Sequence, residues 1–256
     1  MTARASLIES AEIGVANPQV LAVHPAIRDW PANILRAHVV FDRPMQMANA
    51  ISHIKLIAED GEDISDALLD LTDGLWTADQ RILTVLFHPG RVKTGLAAGD
   101  RYGPIFTVGR TYRLVISGDI HCADDQPLGR SYYHHFQAVS PITESFLPIA
   151  DRLEVAGRTV HINTAQPLDF LSVQAHIAVT DQAGNRVPAQ VWVTADGKAI
   201  AVDIADTSRE KNYVLRVHPR LEDVAGNRMG SGFERRRDMV DRDYAYCSYW
   251  RRKSCR

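Results

Sequence analysis

Leu35-Arg36-Ala37-His38-Val39-Val40-Phe41 runs into Asp42-Arg43-Pro44-Met45. Leu35, Ala37, Val39 and Phe41 fall on one face of an extended chain, because side chains alternate along a strand, and the Asp-Arg-Pro sequence punctuates its end. The same rhythm recurs on either side. Ile54-Lys55-Leu56-Ile57-Ala58 is a short strand candidate, and Ile82-Leu83-Thr84-Val85-Leu86-Phe87 is apolar almost throughout, as a central strand would be. Thr111-Tyr112-Arg113-Leu114-Val115-Ile116 places Tyr112, Leu114 and Ile116 on one side. Helical periodicity is weak. Ala67–Leu71 supports one turn, and Met1–Ala16 reads as a loose helix or as chain without fixed structure. The fold class expected is therefore all-β.

The second half repeats the first. Pro44 in Phe41-Asp42-Arg43-Pro44-Met45 and Pro167 in Thr164-Ala165-Gln166-Pro167-Leu168 lie 123 residues apart, as do Gly61 and Gly184 at the ends of two further matching segments. Tyr112 and Tyr213 lie 101 apart, as do Asp125-Gln126 and Gly226-Asn227. A drop of 22 in the offset implies two copies of one domain, the first carrying about 22 extra residues between Asp66 and Arg110. Copies of this size, with short strands and regularly spaced turns, suit two tandem immunoglobulin-like β-sandwiches. Tyr112 and Tyr213 each open a penultimate strand, where a tyrosine can bury its ring and return its hydroxyl to the backbone of the preceding corner.

The 256 residues carry 29 Lys+Arg against 31 Asp+Glu, a net charge of −2, with 45% hydrophobic and 23% charged residues. That balance excludes a wholly disordered chain, and there is no global basic excess of the kind that marks a nucleic-acid binder. No run of about 18 apolar residues offers a membrane-spanning helix. Cys122, Cys247 and Cys255 are odd in number and make no disulfide framework; Cys122 reads as a small buried hydrophobe. Glu9 and Glu12 interrupt the place where the apolar core of a signal peptide would lie, so none is recognisable.

Asn17-Pro18-Gln19-Val20-Leu21-Ala22-Val23-His24-Pro25, followed by Val39-Val40-Phe41-Asp42-Arg43-Pro44-Met45, resembles the opening of a bacterial Ig-like domain of the SbsA type. Thr180-Asp181-Gln182-Ala183-Gly184-Asn185 and Leu221-Glu222-Asp223-Val224-Ala225-Gly226-Asn227 resemble the Asp-x-Ala-Gly-Asn turns common in such domains. The resemblance spans roughly residues 17–234 and is stronger in the first copy. It implies a β-sandwich module of bacterial extracytoplasmic proteins, in the periplasm or at the cell surface, acting as spacer, surface-layer part, adhesion piece or enzyme accessory. The missing signal peptide departs from that pattern. Motifs of this kind speak to fold and are nearly silent on function.

The expected organisation is an N-terminal extension (1–16), an Ig-like sandwich with a loop insertion (17–140), a second sandwich (141–234) and a basic aromatic tail (235–256). The tail holds eight Lys+Arg against three Asp, a net of +5, leaving −7 on the body. Its Arg235, Arg236, Arg237, Arg251 and Arg252, with Tyr244, Tyr246, Tyr249 and Trp250, could dock on an acidic protein groove or a membrane surface; a disordered end is the alternative. In the insertion, Arg91, Lys93, Arg101 and Tyr102 form a second candidate contact, with a long solvated connection as the alternative.

No catalytic signature is present: no nucleophile elbow, no His-Glu-x-x-His, no phosphate-binding loop and no Cys-x-x-Cys. The expected function is a non-catalytic structural or protein-binding module, an accessory subunit or surface component of a larger assembly, and not an enzyme. Two other readings stand beside it. One is a metal-binding protein using His121, His134 and His135, with Asp119, Asp124 and Asp125 as oxygen donors suited to calcium; adjacent His134 and His135 point to opposite faces of a strand and cannot easily share an ion, and the acidic residues are also ordinary turn formers. The other is a carbohydrate-binding module using Trp30, Trp76 or Trp192, residues that could equally fill cores. No cofactor is otherwise expected.

Overall fold

The computed structural model describes residues 16–92, 103–145, 153–156, 159–195, 197, 199–204, 212–228 and 246–251, the backbone alone for 153–156, 212 and 246–251. The first copy contains β1 (Val20–His24), β2 (Asp29–Pro31), β3 (Arg36–Phe41), β4 (Ile54–Ala58), β5 (Leu75–Trp76), β6 (Ile82–Leu86), β7 (Thr111–Ile116) and β8 (Tyr132–Val139). They form two four-stranded sheets, ordered β1-β3-β6-β5 and β2-β8-β7-β4. With strands lettered in chain order and β2 taken as an extra piece of strand A, these are the ABED and CFG sheets of an immunoglobulin sandwich. All pairings are antiparallel except β2 with β8, where Trp30 lies opposite Ala138.

The second copy contains β9 (Leu153–Ala156), β10 (Thr159–Asn163), β11 (Ile177–Asp181), β12 (Arg186–Val187), β13 (Ala189–Val193), β14 (Ala199–Ile204), β15 (Asn212–Val217) and β16 (Tyr246–Arg251). Its sheets are β13-β14-β10-β9 and β12-β11-β15-β16: the ABED and CFG orders recur, but the fourth strand of the second sheet, β12, flanks β11, whereas β2 flanks β8 in the first copy. The chain is thus a tandem pair of Ig-like β-sandwiches. The strand candidates at 35–41, 54–58, 82–87 and 111–116 appear as β3, β4, β6 and β7, and the helical turn expected over 67–71 shrinks to a 3-10 turn, Ser65–Ala67.

The repeat extends to individual backbone bonds. The turn after β4 is closed by Ala58 N–H to Glu62 C=O (2.9 Å) and Gly61 N–H to Ala58 C=O (3.0 Å); after β11, Asp181 to Asn185 and Gly184 to Asp181 do the same at 2.9 and 3.0 Å. Gly61 and Gly184 both sit at left-handed φ, +91° and +86°, which explains a glycine at each. The turn after β7 is tied back by Ala123 N–H to Pro44 C=O, and that after β15 by Val224 N–H to Pro167 C=O. The offset change expected as one step resolves into two. Val85 and Val202, paired with equivalent residues Ala37 and Val160, lie 117 apart, so six extra residues precede β6 and sixteen separate β6 from β7.

Each sandwich has its own interior. Val39, Leu56, Leu83, Leu114 and Phe136 lie in the first, and Val160, Val179, Val202, Tyr213 and Leu215 in the second. Trp30 is fully buried, stacked on Phe136 with ring centroids 4.0 Å apart, and its Nε1–H reaches the carbonyls of Ile27 (3.0 Å) and Pro25 (3.1 Å). Tyr112 forms the expected corner: its hydroxyl accepts from Thr107 N–H at 2.8 Å. Tyr213 is fully buried at the equivalent place, and Cys122 is buried as expected.

The domain boundary at 234 shifts. Six residues of the basic aromatic segment form β16, pairing antiparallel with β15 from Asn212↔Arg251 to Val217↔Tyr246. Tyr112 faces Phe136 in one copy, and Tyr213 faces Trp250 in the other, so β16 is the counterpart of β8 and the last strand of the second sheet. A sheet ending at β15 would leave a row of backbone donors and acceptors unpaired.

Candidate functional site at the domain joint

Along β3, Ala37, Val39 and Phe41 enter the first interior, so Arg36 and His38 point to the outer face. Register places His24 on β1 and Thr84 on β6 in the same row as His38. The second sandwich closes over this row with the loop after β10 and the helix Phe170–His176. Asp169 caps that helix, its Oδ1 accepting from Ser172 N–H at 2.8 Å. Its Oδ2 accepts from Arg36 Nε (2.8 Å) and His38 Nε2 (2.9 Å), while His38 Nδ1 meets Thr84 Oγ1 at 3.0 Å. Arg36 Nη2 reaches Glu222 at 2.5 Å, and Arg228 holds the other oxygen of Glu222 at 3.2 Å. His24 lies flat on Phe170 at 3.9 Å between ring centroids.

Backbone and apolar contacts complete the joint. Leu35 N–H donates to Val224 C=O at 3.1 Å, and the Val224 side chain is buried within the first sandwich's core. Ile142, in the connection between copies, is held from both sides. Asn33 of the first copy bonds both its N–H (2.9 Å) and C=O (2.8 Å), and Asn227 of the second donates to the same carbonyl at 3.0 Å. Gly197, at φ +67°, passes so close to Ile27 that a Cβ would lie 2.7 Å from its Cγ2.

The electrostatics follow from cover and pairing. Burial pushes the Asp169 carboxyl up, but the hydrogen bond and charge of His38, then Arg36, outweigh it and hold the pKa well below the ordinary carboxylate range. Burial lowers the His24 pKa to about 4, helped by neighbouring His38 and His134. Asp223, wholly buried, is raised to about 6 by desolvation, despite bonds from Ala225 and Asn227 N–H and the Asn227 amide.

Thr84, His38 and Asp169 stand in the order hydroxyl, imidazole, carboxylate, which in an open cleft would suggest nucleophilic catalysis. Here they are 9%, 2% and 3% exposed, and the carboxylate is already committed to an arginine and a helix cap. The cluster acts as a clasp between sandwiches. No motif could have revealed it, since its bonded partners are far apart in sequence, from 46 residues for His38 and Thr84 to 186 for Arg36 and Glu222.

The residues singled out from sequence are not brought together. His134 turns inward against Trp30 (5.2 Å between rings) while His135 is exposed, as alternation requires; burial lowers the His134 pKa to about 4. His121 bridges to Pro127 in the turn after β7, Asp119 pairs with Ser117, and Asp125 accepts from Gln46. Asp124 is exposed on the same turn. Among the described residues no three His, Cys, Asp or Glu side chains converge as a metal site would require. Of the candidate sugar-stacking residues, Trp30 is core, Trp76 is half-buried 5.9 Å from the Phe41 ring, and Trp192 is half-buried on β13. Arg91 lies in the helical turn Pro89–Val92, tied to Asp66 (3.4 Å) and to Gly103 C=O (3.3 Å). Lys93, Arg101 and Tyr102, the extension 1–15, and Arg235, Arg236, Arg237, Tyr244 and Arg252 lie outside the described residues. Tyr246, Tyr249, Trp250 and Arg251 are in β16.

No family model matches the chain, and no curated protein matches it. Among solved structures, a biofilm-associated protein's BSP domain is similar at 13% identity, over 78% of this chain and 26% of that one, with a TM-score of 0.26. The N-terminal Ig1-2 module of the Drosophila receptor protein tyrosine phosphatase DLAR is similar at 11% identity, over 79% and 91%, with a TM-score of 0.26. A Bacteroides ovatus mixed-linkage glucan utilization protein, SGBP-B, solved with a heptasaccharide, is similar at 13% identity, over 84% and 46%, with a TM-score of 0.24. The chain thus spans about a quarter of the first of these proteins and about half of the third. No helix among the described residues is long and apolar enough to cross a membrane.

Proposed function

We propose that this chain is a non-catalytic binding module, an accessory or surface part of a larger assembly, which presents two Ig-like sandwiches at one fixed angle. The clasp supports this reading: the side chains best placed for acid–base chemistry are spent on holding the copies together under cover. A rigid pair offers a partner a pre-organised surface and lowers the ordering cost of binding. The resemblance to SbsA-type domains supports an extracytoplasmic setting, and the balanced charge gives no reason to expect nucleic acid.

The test is isolation of the full chain from its native source under mild crosslinking, with small-angle scattering of the purified protein. A stoichiometric protein companion and a single rigid scattering envelope are expected. A chain with no companion, or with freely pivoting sandwiches, would refute the proposal. Residues of the basic aromatic segment remain a candidate contact with protein or membrane. Removing 252–256 tests part of it without deleting β16, whereas removing 235–256 would also open the second sheet.

A further inference from the structure

β13 ends the sheet β13-β14-β10-β9. Its ladder with β14 runs unbroken from Ala189↔Ile204 to Val193↔Ile200 and continues into the hairpin, where Thr194 N–H donates to Ala199 C=O at 2.9 Å. Bonded pairs alternate along an antiparallel ladder, so Gln190 and Trp192 spend their backbone groups on β14. The N–H and C=O of Ala189, Val191 and Val193 point the other way, out of the sheet, and among the described residues none bonds them.

The first copy does not leave this edge open. Leu68 bridges to Phe87 and Leu69 N–H donates to Leu86 C=O at 2.8 Å, then the chain leaves the sheet over 70–74 and rejoins it as β5, opposite Thr84 and Leu83. With β6 and β14 aligned, that excursion stands where the second copy has Val191, and its Asp70 and Asp73 are exposed. Interruption and charge are the usual means of keeping another strand off a sheet edge. β13 has neither: residues 187–195 hold no charged side chain. The flank beside it is open as well. The first copy crosses between sheets through the turn Ser65–Ala67, with Ala67 and Leu68 buried, whereas only Pro188 separates Val187 from Ala189. Val187, Ala189, Val191 and Val193 are left half-buried, and a groove of about 350 Å³ opens there, walled by Ile177, Val179, Val187, Ala189 and Val191.

We propose that a second copy of this chain pairs with the free edge, β13 against β13, antiparallel about a two-fold axis at Val191. That register sets Val191 opposite Val191 and Ala189 opposite Val193, each pair exchanging two backbone bonds, with Gln190 opposite Trp192 on the outer face. The strand is its own complement. Every edge-directed backbone group meets another, and no like charges meet. On the inner face Val193 of the second copy comes beside Ala189, over the groove, so the apolar flank that each sandwich leaves half-covered is covered by its twin. A contact that uses the same patch on both molecules closes on itself and stops at a dimer. The pairing goes beyond the binding-module reading and leaves the first sandwich free.

The test is sedimentation equilibrium of the purified full chain over a wide concentration range. The expected result is a reversible dimer whose dissociation constant rises about tenfold or more in Val191→Pro, which removes the two central bonds. Because the Val191 N–H leaves the sheet, proline there costs no bond within the chain, and the fold should persist. Should that variant not fold, Gln190→Lys/Trp192→Lys, which sets like charges opposite one another on the outer face, should weaken the dimer to a similar degree. Val191→Cys gives the register directly: bonded pairs hold their Cα atoms about 5.5 Å apart, within reach of a disulfide, so mild oxidation should link position 191 to itself, as read by mass spectrometry. A monomer at every concentration overturns the pairing and leaves the binding-module reading standing. A dimer indifferent to the β13 variants, or one that yields no link between the two 191 positions, places the contact elsewhere and overturns it too.

Discussion

Replacing Asp169 by alanine should uncouple the two sandwiches. The substitution removes an N-cap from the helix Phe170–His176, a loss of about 1 kcal/mol. It also strips Arg36 of one of its two carboxylates and leaves His38 Nε2 facing the joint without an acceptor. Breaking a buried pair by deleting one partner costs about 3–5 kcal/mol. Arg36 keeps Glu222 and is 24% exposed, which places this case at the lower end. The summed effect is a destabilisation of about 3–4 kcal/mol. Asp169→Asn, which retains a capping oxygen but not the charge, should cost about half as much. Urea unfolding followed by tryptophan fluorescence gives the free energies, and small-angle scattering gives the angle between sandwiches. An Asp169→Ala protein within about 1 kcal/mol of wild type, with an unchanged envelope, would refute the claim that this carboxylate fixes the joint.

Acid should remove the stability that two half-buried histidines contribute. His24 and His134 have pKa values lowered from 6.5 to about 4, so their contribution is complete above pH 6.5 and is lost as pH falls through about 4. Each should contribute about 1–2 kcal/mol after solvent screening. Asp223, raised to about 6, acts in the opposite sense, its contribution being complete below about pH 4 and lost as pH rises through 6. The histidine losses and the Asp223 gain oppose one another between pH 6.5 and 4, so the double variant His24→Phe/His134→Phe should lose less stability than the wild type over that range in urea unfolding; an unchanged profile would count against it. Gly197→Val should lower the melting temperature through its clash with Ile27, and Ile27→Ala should partly rescue it, whereas additive losses would deny the contact. Tyr112→Phe should cost about 1 kcal/mol by removing the acceptor for Thr107 N–H, and a neutral result would mean that water replaces the hydroxyl.

Much of the architecture could be read because it is local. Alternation along 35–41 and 111–116 marks β3 and β7, and the left-handed turn residues Gly61 and Gly184 locate the duplication. The last strand was harder to see. Tyr246-Cys247-Ser248-Tyr249-Trp250-Arg251 shares only its tyrosine and an aromatic four places on with Tyr132-Tyr133-His134-His135-Phe136-Gln137, and dense positive charge around it suggests a solvated end. The clasp could not be read at all. Arg36 and His38 look like ordinary outward residues of an alternating strand, and Asp169 like an ordinary helix cap. Only the packing of one copy on the other gives them a joint role.

The order in which strands emerge during synthesis bears on assembly. The strands of the first sandwich are all available once Val139 has left the ribosome, but Val224, which fills part of its core, and the cover over its outer row of Arg36, His38 and Thr84 come only with the second copy. The second sheet gains β16 only with residues 246–251, so a nascent chain halted before Asp169 would present an uncovered polar row, and one halted between 217 and 245 an open β15 edge. Such an intermediate has a ready template for pairing with another copy, which makes the interval before β16 arrives the stage at which this protein is most exposed to misassembly.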